Sequence, residues 1–295
     1  MARPLRSWMF VPGNRQRFLD KIYELETPPD AVFFDLEDGV LPEEKPAARE
    51  LIAETLRRAI PGPLRTVRVN AVGTKWLRED LEAILVPGVE GVCVPKVESA
   101  DDVHAVAGAL DLFDPDGRVR IVAAIESAAG LLKAPEIAAA HGRVLAIMFG
   151  AEDYALDLGL GTKREGEAAE LVFARSALVV AAAAARVLSI DGVFPDLEDA
   201  KGLEADVEQA RRLGFDAKST FNPRQIGLIN ERFSPTADEL AYARRVAAAF
   251  EEAVARGDAS VAVGGQLVDR PVVLRAQRLL ELADELGIRT TEGSA

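Results

Sequence analysis

The chain has 295 residues, 49% hydrophobic content, a single cysteine and a formal net charge of −13. That length suffices for one large domain or two ordinary ones, and the acidic balance argues against nucleic acid or an anionic membrane surface as the main partner. The lone Cys93 excludes an intrachain disulfide, no run reaches membrane-spanning length, and the N-terminus lacks a long apolar segment, so a cytoplasmic protein without a membrane partner is expected.

Residues 5–11 read as a short strand broken by Pro12 and Gly13, and 14–25 continue with helical spacing. A second strand, 30–34, ends in Asp35-Leu36-Glu37-Asp38, and a helix over 43–60 follows. The third strand, 66–69, carries Arg68 and ends at Asn70. After a helix near 75–85, a fourth strand, 91–94, is stopped by Pro95 and followed by Lys96. A helix over 100–112 leads to a fifth strand, 120–125, which ends at Glu126. One helix over 130–140 then leads to a sixth strand, 144–149, followed by Gly150, Ala151, Glu152 and Asp153. An alanine-rich helix at 167–187, a strand at 190–195, a helix at 203–213, a strand at 217–221 and a helix opened by Pro223 complete the alternation. Beyond it, 236–255 is helical, 257–265 a flexible connection, and 271–286 a final amphipathic helix preceded by Asp269.

Eight strands alternating with helices give the count and order of a (β/α)8 TIM barrel, expected over 1–234, with a C-terminal helical extension over 235–295. The same alternation also fits an open doubly wound sheet, but no Gly-rich dinucleotide fingerprint follows the first strand. In a barrel the chemistry lies at the C-terminal strand ends. Arg15, Glu37, Asp38, Arg68, Asn70, Lys96, Glu126, Asp153 and Asp196 all fall at or near them.

Glu126 and Asp153 end two strands joined by one crossover, so both lie on the same side of the sheet. Carboxylates that converge repel unless a cation or proton sits between them, and oxygen-only ligation favours Mg2+. Arg68 alternates with apolar neighbours and so points into the barrel mouth, where its anionic partner is either a protein carboxylate or a substrate carboxylate. Arg15 and Arg17, near the positive end of their helix, mark either an anion site or a solvated surface. The Asp35-Leu36-Glu37-Asp38 run is either support for a metal or a solvated loop, and Lys96 can neutralise a carboxylate. His104 and His141 fall on or beside helices, which leaves no histidine base and no Zn2+ set. On its own, Asp269 before Pro271 reads as a helix N-cap.

The motifs RSWMFVPGNR, FFDLEDGV, VRVN, VPKVES, IESAAG, FGAEDY, a lysine-containing eighth strand followed by NPRQI, and VDRP resemble, in order, those of the citrate lyase β-subunit group of the HpcH/HpaI aldolase superfamily. The resemblance implies a Mg2+-dependent TIM-barrel enzyme that cleaves or forms a C–C bond beside a thioester carbonyl. Its substrates would be small-molecule CoA thioesters, such as citryl-, malyl- or citramalyl-CoA, and a 2-keto acid. Close alternatives are a CoA-dependent malate synthase-type condensation with thioester hydrolysis, or a subunit of a larger lyase complex that takes its thioester from an acyl carrier protein. By the same resemblance Glu126 and Asp153 bind Mg2+, Arg68 holds the substrate carboxylate or keto-acid oxygen, and Phe10 and Arg15 seat the thioester's nucleotide. Glu37 and Asp38 lie near the metal waters, Gly150 and Ala151 offer backbone N–H groups, and Asp269 protonates the enolate, in trans within a homo-oligomer, a trimer or hexamer. Two departures stand out. The pyruvate-aldolase branch carries a histidine after its second strand where this chain has Asp35-Leu36-Glu37-Asp38, which favours the thioester branch. Thr220-Phe221-Asn222-Pro223 replaces the common Ile-His-Pro, so contacts made there by histidine are absent.

Overall fold

The computed structural model describes residues 4–58, 60–161 and 168–288. Glu167, where one helix was expected to start, and the outer ends of both expected domains lie outside the described residues. The described chain forms two compact units, Leu5–Asn230 and a second one from Glu231 onward.

In the first unit β1 (Ser7–Pro12), β2 (Ala31–Asp35), β3 (Leu64–Arg68), β4 (Gly91–Val94), β5 (Arg120–Ile125), β6 (Val144–Phe149), β7 (Leu188–Asp191) and β8 (Ala217–Thr220) close into a barrel in sequence order. Every neighbouring pair is parallel, including β1 with β8, so all C-terminal ends open on one face. Around it run α1 (Gln16–Lys21), α2 (Lys45–Arg57), α3 (Leu77–Ile84), α4 (Ala100–Phe113), α5 (Ala128–Leu132), α6 (Ala134–Ala139), α7 (Ala151–Asp157), α8 (Val172–Ala185), α9 (Ala200–Leu213) and α10 (Ile226–Arg232).

Strand periodicity fixes what fills the barrel. Trp8, Phe10, Ala31, Phe33, Cys93, Val122, Ala124, Ala146, Met148, Ile190 and Ala217 form one interior cluster, and where a strand contributes two of them they are spaced by two. Trp8 stacks on Phe33 at 4.8 Å between centroids, and Phe33 meets Phe10 at 4.8 Å. Continuing the same alternation by one step places Asp35, Arg68 and Glu126 above this apolar column. The mouth is therefore polar where the interior is not.

Several elements depart from the sequence expectation. The helix expected at 130–140 is two, because Pro135 has no N–H to donate back; α5 ends at Leu132, Lys133 leaves helical geometry, and Pro135 sits in the first turn of α6. The seventh strand ends at Asp191 rather than 195 and starts at Leu188, since Leu188 and Ser189 pair with Ala146 and Ile147. The helix expected at 14–25 is α1 followed by one 3-10 turn, Ile22–Glu24.

The second unit holds α11 (Ala237–Ala255), β9 (Val261–Val263), β10 (Gln266–Val268) and α12 (Arg270–Glu285). A capping box between Thr236 and Glu239 starts α11. The expected flexible connection at 257–265 is instead the first part of an antiparallel hairpin, turned by Gly264 and Gly265 at φ of 58° and 81°, where side-chain residues are strained. Ala243, Val246, Val268, Val273 and Ala276 form its core. Among the described residues no helix is long and apolar enough to cross a membrane.

Candidate active site at the strand ends

The register pairs Asp35 with Arg68 and Arg68 with Cys93, so three strand ends meet side by side. Arg68 donates through Nε and Nη2 to the two oxygens of Asp35, both at 2.7 Å, and its Nη1 lies 3.1 Å from Glu37 Oε2. Its guanidinium lies over the Phe10 ring at 4.7 Å. Burial works against that charge, but the field and hydrogen bonds of Asp35 outweigh it and the pKa of Arg68 rises, so it is a permanent cation. The partner left open by the sequence is thus a protein carboxylate in the free chain. Asp35 occupies only one side of the guanidinium fork, so hydrogens on Nη1 and Nη2 remain for a ligand.

Glu126 is 5% exposed, held between the backbone of Lys96, just past β4, and Gly150 before α7. Its Oε2 accepts from Lys96 N at 2.9 Å, and Gly150 lies so close that an added Cβ would stand 2.6 Å from Glu126 Oε1. Burial, then the fields of Glu37 and Asp153, push the Glu126 carboxyl up to about 7. Asp153 sits in the first turn of α7, a favourable place for an anion. Lys96 adopts a left-handed backbone at φ 53°, from which its Nζ donates to Glu37 Oε1 at 2.6 Å and lies 3.6 Å from Asp38 Oδ2. Burial of Lys96 lowers its pKa, but the bond to Glu37 prevails and keeps it charged. Glu37 is pushed up by burial against the pull of Arg68 and Lys96, and its buried Oε2 makes no hydrogen bond of good geometry.

The donor set fits a hard divalent cation. Burial raises the Glu126 carboxyl, Glu126 and Asp153 act on each other through their charges, and each offers carboxylate oxygens, the ligands a hard cation takes. Among the described residues no three His, Cys, Asp or Glu side chains form a closed metal cage, because Arg68 engages Asp35 and Lys96 engages Glu37. A two-carboxylate site suits Mg2+, which keeps waters or substrate oxygens at its other positions.

The other expected residues divide. Phe10 is buried beneath Arg68, while its edge borders a cavity of about 320 Å3 lined also by Phe18, Lys21, Phe221 and Pro223. Arg15, with its side chain 60% exposed, stands 3.7 Å from Glu44 at the start of α1. Gly150 N donates to Ile125 O at 3.0 Å, so of the two expected amides only Ala151, at the first position of α7, lies outside that ladder bond. Asp196 accepts from the Glu198 and Asp199 amides at 2.9 and 3.1 Å, a local turn outside the cluster. Asp269 caps α12, accepting from Val272 N at 3.4 Å within the second unit.

Lys45, which the strand-end pattern does not single out, donates its buried ammonium to Leu36 O at 2.6 Å and Glu37 O at 2.9 Å, and Asn70, expected at the strand ends, donates through Nδ2 to Leu36 O at 3.1 Å. Both pin the loop that carries Glu37. A lysine in the first turn of a helix, where positive charge is disfavoured, was the available signal.

Residues 6–223 match the HpcH/HpaI aldolase/citrate lyase family. The chain is 38% identical over 295 residues to citrate lyase subunit beta of Leuconostoc mesenteroides subsp. cremoris, covering 98% of this chain and 96% of that protein. It is also 38% identical over 286 residues to (3S)-malyl-CoA thioesterase of Cereibacter sphaeroides (strain ATCC 17025 / ATH 2.4.3), covering 97% and 96%. Among solved structures, protein CitE from Mycobacterium tuberculosis in complex with magnesium, acetoacetate and coenzyme A is similar with a TM-score of 0.77 and 33% identity, over 96% of this chain and 98% of that one.

Proposed function

The chain belongs to the HpcH/HpaI aldolase/citrate lyase family, and from that premise we propose that it is a Mg2+-dependent carbon–carbon lyase acting on a 3-hydroxy-acid thioester such as citryl-, malyl- or citramalyl-CoA. The products are an acyl thioester and a 2-keto acid, and the reverse condensation uses the same groups. The observation that supports this reading best is the juxtaposition of the buried Glu126 carboxyl, the neighbouring charge of Asp153 and a fixed Arg68 cation above an apolar barrel.

Glu126 and Asp153 would hold Mg2+, which when bound supplies Lewis-acid stabilisation of negative charge on the substrate's oxygens. Arg68 binds the acid's carboxylate through its remaining N–H groups, kept in orientation by Asp35 on one edge and Phe10 below. Lys96 and Glu37 fix each other, and Lys96 N fixes Glu126. When the C–C bond breaks, its electron pair stays on the thioester fragment as an enolate, the hydroxyl proton passes to a water in the site, and the C–O bond becomes the ketone of the 2-keto acid. Asp269 donates a proton to the enolate carbon. The apolar cavity beside Phe18 and Phe221, with Lys21 and exposed Arg15 at hand, receives the thioester's carrier arm and phosphates. We further propose a cytoplasmic homo-oligomer, a trimer or hexamer, in which Asp269 serves a neighbouring copy's barrel, and a domain boundary at 234/235.

Equal identity to a citrate lyase subunit and to a malyl-CoA thioesterase keeps a second reading in play: the same bond chemistry followed by thioester hydrolysis. Calorimetric titration of pyruvate, glyoxylate and oxaloacetate tests the shared half of both readings. Binding should require Mg2+ and vanish in Arg68→Ala. Equal binding in EDTA would contradict the assignment.

A further inference from the structure

Behind the strand ends lies a second set of charges that the proposed chemistry does not use. Arg175 on α8 grips Asp191, the last residue of β7, through Nε to Oδ1 at 3.0 Å and Nη2 to Oδ2 at 2.8 Å, and its Nη1 lies 3.2 Å from Asp206 Oδ1. Lys218 on β8 is 1% exposed; its Nζ donates to Asp191 Oδ2 at 2.6 Å and to Gly192 O at 2.7 Å, and lies 2.6 Å from Asp206 Oδ2. Two cations and two carboxylates in dry surroundings give little net stability over well-packed apolar residues, because desolvation consumes most of the Coulomb gain. Stability alone therefore does not explain them.

What they hold gives the explanation. The carbonyl of Gly192 is fixed by Lys218, and a Cβ on Gly192 would stand 2.9 Å from Phe149 O, 3.2 Å from Ala151 Cβ and 3.5 Å from Ala151 N. Ala151 opens α7, the helix that carries Asp153, and the preceding Gly150 presses on Glu126. At Gly192 the backbone of Phe149 and the Ala151 methyl leave no room for a side chain, so a displacement there is transmitted rather than absorbed.

We propose that Lys218, held by Asp191, is a positioning residue for the carboxylate pair: through Gly192 it sets the turn Phe149-Gly150-Ala151 and with it the separation of Glu126 and Asp153. This rests on the reading of those two residues as the Mg2+ ligands. A structural role alone would lower thermal stability and leave the folded protein's affinity for Mg2+ unchanged.

The test is Mg2+ calorimetry on folded protein, well below each Tm, with near-UV circular dichroism as the check of packing. Lys218→Met, Asp191→Asn and Gly192→Ala should each bind Mg2+ at least tenfold more weakly than wild type. Arg143→Met is the matched control: it breaks another ion network, in which buried Arg143 meets exposed Asp111 at 2.7 Å and buried Asp114 at 2.8 Å, at the opposite end of β6. It should lower Tm comparably and bind Mg2+ at wild-type strength. Wild-type affinity in a folded Lys218→Met overturns the proposal, as does an affinity loss in Arg143→Met that matches the others. Should Lys218→Met fail to fold, Asp191→Asn and Gly192→Ala decide by the same criterion. A wild type that binds no Mg2+ overturns the metal reading itself, and this proposal with it.

Discussion

Removing the metal should expose the cost of burying Glu126, and pH should reveal it. The Glu126 carboxyl is raised from 4.5 to about 7, by burial first and by Glu37 and Asp153 second. The folded state therefore binds this proton more tightly than the unfolded state does. Its contribution to stability is fully present below pH about 4.5 and is lost as pH rises to about 7. A shift of that size corresponds to about 3 kcal/mol. Glu37 is raised too, so part of the change belongs to the pair. Bound Mg2+ replaces the proton as counter-charge and should flatten the slope, while Mg2+ affinity itself should fall by up to about tenfold per pH unit below 7. Urea denaturation in EDTA at pH 5, 6, 7 and 8, on wild type and Glu126→Gln, isolates the effect. Wild type should lose stability relative to the variant across this range, and saturating Mg2+ should stabilise only wild type at pH 8. Parallel pH profiles for the two proteins would show that Glu126 is not the group whose proton is held in the fold.

Arg68→Lys should weaken keto-acid binding by roughly tenfold or more, because a point charge cannot serve Asp35 and a substrate carboxylate at once; calorimetry at saturating Mg2+ reads it. Gly150→Ala places a Cβ 2.6 Å from Glu126 Oε1, so Mg2+ affinity should drop about tenfold, roughly 1.4 kcal/mol, with little change in fold. Asp269→Ala should cost about 1 kcal/mol of stability as a lost cap, and about 10²-fold in turnover if it is the acid. Mixing Asp269→Ala with Arg68→Ala after subunit exchange should restore activity when the acid comes from a neighbouring copy. No recovery despite verified exchange would contradict sharing.

The barrel was legible because parallel strands covered on both faces write themselves as short apolar runs, and the charges at their ends stand out against those runs. Glu126, Asp153 and Arg68 could be picked out that way. Their surroundings could not. That Asp35 grips Arg68 follows from a register between strands 33 residues apart, which local pattern does not encode. That Gly150 is glycine because Glu126 lies against it needs the tertiary contact. The lysine of the eighth strand stands out in sequence, but its pairing with Asp191 does not, because an isolated aspartate within an apolar stretch reads as an ordinary strand residue until its partner on the next strand is known. Pro135 and the Gly264-Gly265 turn were local signals, and the helix break and hairpin they encode were available in the sequence.

In the proposed reaction the strand-end carboxylates, with Mg2+, and Arg68 cleave a carbon–carbon bond in a hydroxy-acid thioester. The direct measurement is to incubate the purified chain with citryl-, malyl- and citramalyl-CoA, with Mg2+ or with EDTA, and to quantify keto acid, acyl-CoA and free CoA. At least one substrate should yield keto acid and acyl-CoA in equal amounts, with Mg2+ only and not in Glu126→Ala. Free CoA and intact hydroxy acid without keto acid, or cleavage undiminished in EDTA, would contradict the account.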